Sequence, residues 1–402
     1  MKSLTKCIFY LILLAIIINR KEQFLSLWTI NDEFDYNLDD HTFPFEINYE
    51  NTEYSYEALS GYKDTAEYFL VFEDYFDYAA KIDNTKQQFF ISTILDSGKI
   101  EYLKMLNYRL STNDEVGIIS AAIYAKNIVD LCFIIDATRN IPIIISLVIS
   151  KSFFHHGYLN EADFCSTFPY SDTFNKTQVW FPNNLLRNVA RLPGNNHNLP
   201  DLYLSIDVDL IPSTNFLRQI NQLLSSSRPN DKDLLLIIVF ETNDVNAVVN
   251  VQSKTQLKTL FDQEKVQIFH QWCTVCYNYY DYPKWFSLVD KEIIYSAYEI
   301  NYKLSFEPYF IASNAQTPYH DPRFRGYGYN KVVHAYQLAK QKFKFKVLSD
   351  TFLVHDGIKS ETTGVGAIEQ EENTKLFRIA KADLNSLHFV DFNPVGYTNK
   401  KT

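Results

Sequence analysis

The sequence predicts an α/β fold with a mixed, mainly parallel β-sheet. Val116–Tyr124 and Ile141–Ile149 are apolar runs of strand length, and the residues between them suffice for one helix. This βαβ pattern is typical of parallel strands that are buried on both faces of a sheet. A further apolar run at Leu234–Phe240 continues the pattern. We therefore expect one mixed α/β domain over residues 112–390.

Periodicity predicts three more helices and three more strands in this domain. Apolar residues that recur every three or four positions favour a helix, whereas short continuous apolar runs favour a buried strand. The hydroxyl group of Ser213 or Thr214 can cap the second of these helices, because it accepts a hydrogen bond from a free N–H group of the first turn. The helices are predicted over Asn183–Arg191, Thr214–Leu224 and Asn330–Gln341, and the strands over Leu202–Ile206, Phe343–Val347 and Thr351–Val354.

The N-terminal residues predict membrane targeting. Residues 7–18 form an apolar run that has basic residues on both sides. The segment is shorter than the roughly 20 residues of a full span, so both a cleaved signal peptide and an uncleaved signal anchor are compatible with it. No small-residue cleavage site follows, and the flanking basic side chains can reach the membrane interface, which favours the anchor.

The predicted organisation is that of a single-pass type II protein of the Golgi membrane, with most of the chain in the lumen. It consists of a cytoplasmic tail at 1–6, the anchor at 7–19, a stem or accessory segment at 20–111, the α/β domain at 112–390 and a C-terminal tail at 391–402.

The composition narrows the class of partner. A formal net charge of −10 argues against binding to a nucleic-acid backbone, which requires basic surface. A hydrophobic content of 46% excludes general disorder. We therefore expect a folded protein with no nucleic-acid partner.

Cysteines and a glycosylation sequon fit a secretory lumen. Cys132, Cys165, Cys273 and Cys276 could form two disulfides, whose pairing stays open. The CxxC spacing of the last two also has zinc and redox interpretations, but no second CxxC or histidine pair accompanies it. Asn175 begins an Asn-Lys-Thr sequon, which predicts N-glycosylation.

Asp207 and Asp209 are the first candidate site residues. They stand one residue apart directly after the predicted strand Leu202–Ile206, at the strand end where ligands of open α/β sheets collect. Carboxylate oxygens suit Mg²⁺ or Mn²⁺, and such an ion can neutralise a departing nucleoside diphosphate. Sugar-nucleotide transferases use this chemistry. A turn or a helix N-terminal charge is the alternative interpretation, and Asp231 and Asp233 repeat the spacing in a loop-like composition.

Six segments then occur in a fixed order: Trp180–Ala190, Asp207–Ser213, Phe240–Glu241, Phe306–Tyr309, Asp321–Lys331 and Phe352–Gly357. Together they resemble glycosyltransferase family 49, which acts on the O-mannosyl glycan of dystroglycan. The resemblance implies a GT-A fold, an inverting mechanism, UDP-glucuronate as donor, a glycan or glycoprotein acceptor, and Mn²⁺ as the metal, with Mg²⁺ as an alternative. Another UDP-sugar such as UDP-N-acetylglucosamine, or a catalytically silent sugar-binding protein, are the competing interpretations.

The resemblance also implies roles for individual residues. His355 would join Asp207 and Asp209 on the metal, although a lone histidine at a strand end is usually structural when taken by itself. Arg187 could bind phosphate or carboxylate with two hydrogen bonds, and Arg323 is a further candidate for the donor carboxylate. The residues implied to bind the donor are Asn184, Arg187, Asn188, Asp207, Arg325, Gly326 and Lys331.

A general base must also take the proton of the acceptor hydroxyl. Many inverting GT-A enzymes carry an acidic residue after a glycine-containing turn, but here the turn at Gly326–Tyr329 is followed by asparagine and lysine. Glu307 and Asp321 are the leading catalytic candidates, and Glu241 is the third. Each could instead be a helix cap or part of a structural ion pair. Residues 277–283 depart from the family pattern, so the acceptor is the least transferable property.

Overall fold

The computed structural model describes most of the chain beyond residue 86. The described residues are 53–54, 69–76, 87–111, 116–150, 180–193, 199–273, 276–277, 279–288, 294–358, 366–387, 389 and 392. The predicted anchor at 7–19 and the sequon at Asn175 lie outside them. No helix within these ranges is long and apolar enough to cross a membrane.

Twelve described strands form one sheet. They are β1 (Glu53–Tyr54), β2 (Phe69–Phe76), β3 (Phe89–Asp96), β4 (Ile118–Ala125), β5 (Ile144–Ser150), β6 (Leu202–Asp207), β7 (Leu210–Pro212), β8 (Asp233–Thr242), β9 (Gln267–Ile268), β10 (Ser296–Ile300), β11 (Tyr309–Ser313) and β12 (Lys344–Asp356).

The described helices connect these strands. They are α1 (Ile100–Arg109), α2 (Ile128–Thr138), α3 (Asn183–Val189), α4 (Phe216–Ser226), α5 (Val245–Val248), α6 (Lys254–Asp262), α7 (Tyr282–Ser287), α8 (Asn330–Lys340) and α9 (Ala367–Asn385).

The sheet is mixed, and the predicted α/β class is confirmed. Its strands lie in the order β1-β2-β5-β4-β3-β6-β11-β8-β12-β10, with β7 beside β12 and β9 beside β8. The four strands from β5 to β6 are mutually parallel, as are β8 and β12. Because β11 lies antiparallel between β6 and β8, all six of these strands share one direction. Their carboxyl ends therefore meet at one edge of the sheet.

Two apolar cores lie on opposite faces of the sheet. Every residue of β8 is buried, and its side chains alternate between the cores. Leu235 and Ile237 pack with apolar residues of α1, α2 and α4. Leu236 and Ile238 pack with residues of α6 and with Trp285 of α7. Burial on both faces explains why the strand sequence is continuously apolar rather than alternating.

Strand β3 corrects the predicted domain boundary. It lies within the segment predicted as stem, yet it pairs with both β4 and β6 in the middle of the sheet. Seven of its eight residues are buried. The sheet therefore begins well before residue 112, the predicted start of the domain.

Two local predictions also differ from the structure. The two strands predicted between Phe343 and Val354 form the single strand β12, which stays continuous because a register shift against β8 absorbs the irregular residues between Val347 and Phe352. Helix α4 begins after Asn215, without a side-chain cap. Thr214 lies one residue before the cap position, and its hydroxyl donates to the carbonyl of Val251.

Of the four cysteines discussed above, Cys273 and Cys276 form a disulfide with each other. This pairing agrees with one of the arrangements left open by the sequence. Cys132 is also disulfide-bonded, and Cys165 lies outside the described residues.

Arg191 fixes the segment that follows β11. It is fully buried, and its guanidinium group lies between the rings of Tyr203 and Tyr319, 4.4 and 4.5 Å from their centroids. It donates to both the side chain and the carbonyl of Asn314, and to the carbonyls of Thr317 and Pro318. One side chain thus donates hydrogen bonds to three backbone carbonyls of this turn.

We predict that Arg191→Ala lowers the free energy of unfolding by about 4 kcal/mol, because it leaves a cavity and several buried carbonyls without donors. Thermal or denaturant unfolding measures this loss. Arg228→Ala is the matched control, since that exposed side chain makes one surface ion pair at 3.5 Å and its loss should change stability by less than about 0.5 kcal/mol. Similar losses in the two variants would contradict the anchoring role.

Candidate active site

The candidate site lies where the parallel strands end. Asp207 is the last residue of β6, and Asp209 lies in the turn that leads to β7. His355 is near the end of β12, where it pairs with Glu241 of β8 and Leu210 of β7. Both aspartates are therefore at the carboxyl edge of the sheet, beside the end of β12.

Asp209 and His355 form one half of the site. His355 Nε2 lies 3.4 Å from Asp209 Oδ2, while its Nδ1 is 2.7 Å from the carbonyl oxygen of Gly357. That second contact orients the ring and leaves Nε2 facing the carboxylate, the arrangement in which histidine serves as a metal ligand. Lys99, just before α1, donates to Asp209 Oδ2 at 2.7 Å.

Two buried atoms in this half fit a divalent metal. Asp209 Oδ1 and His355 Nε2 are buried and make no hydrogen bond to any described residue. Buried polar atoms without partners are costly, and one carboxylate oxygen with one imidazole nitrogen suits Mn²⁺. Burial alone would raise the pKa of Asp209, but His355 and Lys99 outweigh it and hold that pKa below its usual range, so the carboxylate is ionised.

Asp207 faces a different set of partners. Its Oδ2 accepts hydrogen bonds from Tyr309 at 2.6 Å and from Lys331 at 3.1 Å, and its Oδ1 lies 3.4 Å from Arg187 Nη2. Within the described ranges, no three His, Cys, Asp or Glu residues converge as they would around a metal. The structure thus brings together two of the three implied metal ligands and directs Asp207 towards cations.

Glu307 belongs to the second half of the site. The hydroxyl of Tyr277 donates to its Oε2 at 3.3 Å, and Lys331 Nζ lies 3.9 Å from the same oxygen. Lys331 also donates to the hydroxyl of Tyr309 at 2.7 Å. Glu307 is therefore a partly exposed carboxylate that shares a lysine with Asp207.

The two tyrosines of this half remain neutral. Burial raises the pKa of Tyr309 well above its usual value, and Asp207 raises it further. Burial likewise raises the pKa of Tyr277, with an added contribution from Glu307. Both hydroxyls can therefore donate hydrogen bonds to the carboxylates at neutral pH.

Three residues of α3 hold this half in place. Asn184 donates to the carbonyls of Asp321 and Asn330, and Asn188 exchanges hydrogen bonds with the backbone of His320. Both amides are fully buried. Their hydrogen bonds hold α3 against the backbone of residues 320–330. Arg187 differs because it bridges from Asn184 and Asn330 to Asp207.

The other predicted residues have mostly structural partners. Asp321 is bound by Arg323 through both carboxylate oxygens, so the two side chains neutralise each other's charge. The side chain of Glu241 is buried and accepts a hydrogen bond from Gln267. The carbonyl of Arg325 accepts one from Asn373.

Gly326 is needed for the turn itself. Its φ is +62°, in the left-handed region, and a Cβ there would lie 2.2 Å from Glu369 Oε2. Its carbonyl accepts hydrogen bonds from Asn183 and Asn330. The absence of a side chain at Gly326 thus allows close approach of α3 and α9 to this turn.

Three residues of the site, Lys99, Tyr277 and Tyr309, had no predicted role. Tyr309 belongs to a recognised motif, and a role could have been sought for its hydroxyl. Lys99 had no local signal, because only the pairing of β3 with β6 brings it to Asp209.

Comparison with known proteins places these observations in context. The chain is 32% identical over 213 residues to beta-1,4-glucuronyltransferase 1 of Mus musculus, a match that covers 52% of this chain and 49% of the relative. It is 31% identical over 180 residues to the xylosyl- and glucuronyltransferase LARGE2 of Rattus norvegicus, covering 44% of this chain and 24% of the relative. The chain thus spans about half, or less, of the length of these curated relatives.

A solved structure of GalNAc-T7 with UDP, GalNAc and Mn²⁺ aligns with 72% of this chain and 47% of its own, at 8% identity. The TM-score of 0.38 is too low to establish a shared fold.

The family model described as "Glycosyl-transferase for dystroglycan" matches residues 93–388. This match begins within β3, so it includes the second half of a strand that lies in the segment predicted as stem. Because it covers most of the chain, the chain belongs to this family, glycosyltransferase family 49.

Proposed function

We propose that this chain is a metal-dependent, inverting glycosyltransferase with a GT-A fold, which transfers glucuronate from UDP-glucuronate to a hydroxyl group of a glycan or glycoprotein. The observation that carries the proposal is the pair of unpartnered buried atoms, Asp209 Oδ1 and His355 Nε2, at the carboxyl edge of the sheet. Family membership and the names of the relatives support the choice of reaction and donor.

Asp209 and His355 would hold the metal, Mn²⁺ or Mg²⁺. When bound, the ion would neutralise charge that develops on the departing nucleoside diphosphate. Arg187 and Lys331 carry positive charge beside Asp207, where they can bind the phosphate or carboxylate groups of the donor. Lys331 is thus better placed for this task than Arg323, whose guanidinium group is occupied by Asp321.

Glu307 is our choice for the general base. It would accept the acceptor hydroxyl proton while the acceptor oxygen bonds to C1 of the sugar and the bond from C1 to the diphosphate breaks. Tyr277 holds one carboxylate oxygen in place, and the side chain keeps 18% exposure, so a hydroxyl can reach it. Asp321 lacks this freedom.

We also propose that the enzyme is a type II protein of the Golgi membrane with a luminal catalytic domain. The disulfide between Cys273 and Cys276 supports an oxidising compartment. In sealed microsomes, the C-terminal part should resist added protease until detergent is present. Digestion without detergent would contradict this orientation.

A donor panel tests the reaction. With Mn²⁺ present, transfer or donor hydrolysis should be fastest with UDP-glucuronate, because the cations near Asp207 can bind its carboxylate. Initial rates with UDP-glucuronate, UDP-N-acetylglucosamine, UDP-xylose and UDP-glucose are the measurement. A clear preference for a neutral sugar would refute the glucuronate assignment.

Asp209→Asn is the control for the panel, since it removes the charge of the proposed metal ligand with little change in shape. It should abolish Mn²⁺-dependent UDP binding and reduce turnover of every donor, while secretion and the unfolding temperature stay close to wild type. Wild-type protein that binds neither Mn²⁺ nor UDP would instead indicate a catalytically silent protein.

Glu307→Gln should lower transfer by about 10²-fold or more while affinity for Mn²⁺ and UDP is kept, because general-base catalysis typically contributes 10² to 10⁴. Single-turnover rates and UDP binding separate the two effects. Asp321→Asn is the comparison, and we expect it to lower the unfolding temperature because it weakens the paired contact with Arg323. Near-normal turnover in Glu307→Gln would dismiss the assignment.

A further inference from the structure

Lys99 lies at the proposed metal site, in the turn that follows β3. A short 3₁₀ turn, Ser97–Lys99, follows β3 and leads directly into α1. Because β3 is parallel to β6, with Ile94 opposite Asp207, this turn lies at the same edge as both aspartates. Lys99 Nζ is 2.7 Å from Asp209 Oδ2.

The backbone of Lys99 is held in place by the start of α1, whereas its ammonium group is partly exposed. One turn further along α1, Tyr102 donates to Asp356 at 2.8 Å, which holds the helix next to His355. The Lys99 side chain is 45% exposed, whereas that of Asp209 is only 10% exposed. The ammonium group can therefore leave Asp209 and turn towards solvent or a ligand without disturbing the helix.

Lys99 and a metal cannot both neutralise Asp209 equally well. A divalent ion on Asp209 would stand close to the ammonium group, and like charges at such separations repel. Asp209 Oδ1 and His355 Nε2, which make no hydrogen bond to any described residue, would bind the metal. The charge of Asp209 would then be neutralised without the lysine. The ammonium group would then be released next to the place where a bound metal would neutralise the donor diphosphate.

We propose that Lys99 is an exchangeable cation of the donor site, which neutralises Asp209 in the metal-free protein and moves to the donor diphosphate when the metal binds. This inference rests on the proposed function, because it requires a metal and a nucleoside diphosphate at this edge. It gives Lys99 two opposite effects, since the residue competes with the metal and assists the nucleotide.

A surface ion pair would behave differently. Such a pair contributes little and has no second partner to bind. Lys104, also on α1, provides this case, because it pairs with the exposed Glu101 at 2.9 Å. Comparing the two lysines separates an exchangeable cation from ordinary surface charge.

The test measures two affinities on the purified full-length chain. Mn²⁺ binding without nucleotide is followed by the electron paramagnetic resonance signal of free Mn²⁺. UDP binding at saturating Mn²⁺ is followed by calorimetry. Lys99→Met should tighten Mn²⁺ binding about threefold to fivefold, because a competing partly exposed charge is removed. It should weaken UDP binding about tenfold, because a charged hydrogen bond to phosphate is lost.

Two controls bound the interpretation. Lys99→Arg keeps the charge and should leave both affinities within about threefold of wild type. Lys104→Met should change neither affinity.

The outcomes are distinguishable. If wild type binds Mn²⁺ and UDP but Lys99→Met leaves Mn²⁺ affinity unchanged or weaker, the exchange is refuted while the proposed function stands. A parallel loss of both affinities would also refute it, because it would indicate structural damage at Asp209. Absence of Mn²⁺ and UDP binding in wild type would refute the proposed function and this inference together.

Discussion

Asp207 and Asp209 place two negative charges one residue apart at the end of a largely buried strand, and such charges require compensation from their surroundings. The chain supplies it from three distant places. Arg187 comes from α3, Lys331 from α8, and Lys99 from the turn after β3. Much of the architecture around the site can be understood as the means of bringing these cations to one edge of the sheet.

The two carboxylates receive different numbers of compensating contacts, and this difference distinguishes Asp207 from Asp209. Asp207 is surrounded by Arg187, Lys331 and the hydroxyl of Tyr309. Asp209 is contacted by one partly exposed lysine and a histidine, and its Oδ1 makes no hydrogen bond to any described residue. A cation that enters the site therefore gains more from Asp209 than from Asp207. The D-x-D spacing alone could not reveal this asymmetry, because both aspartates are chemically identical in the sequence.

What the sequence could predict depended on whether the determinants were local. Apolar runs such as Leu234–Phe240 identified strands that are buried on both faces, because this burial leaves no polar alternation. The place of β3 in the sheet was not predicted, because the strand lies in an acidic, aromatic-rich segment. Its neighbours β4 and β6 come later in the chain. In the site, Asp207, Asp209 and His355 could be identified because their motifs occur in a fixed order along the chain. Asn184 and Asn188 bind backbone groups more than a hundred residues away in the chain, and Asp321 pairs with the nearby Arg323. Motif spacing does not predict these hydrogen bonds.

The disulfide between Cys273 and Cys276 connects this geometry to protein maturation. The next residue is Tyr277, which contacts Glu307, and the amide of Glu307 donates to the carbonyl of Cys276 at 3.3 Å. A covalent link formed after synthesis therefore holds the peptide that orients the proposed base. Newly made chains contain Asp209 and His355 from the start, but they acquire this constraint only where thiols are oxidised. The position of the proposed base therefore depends on the oxidation of two thiols as well as on the sequence.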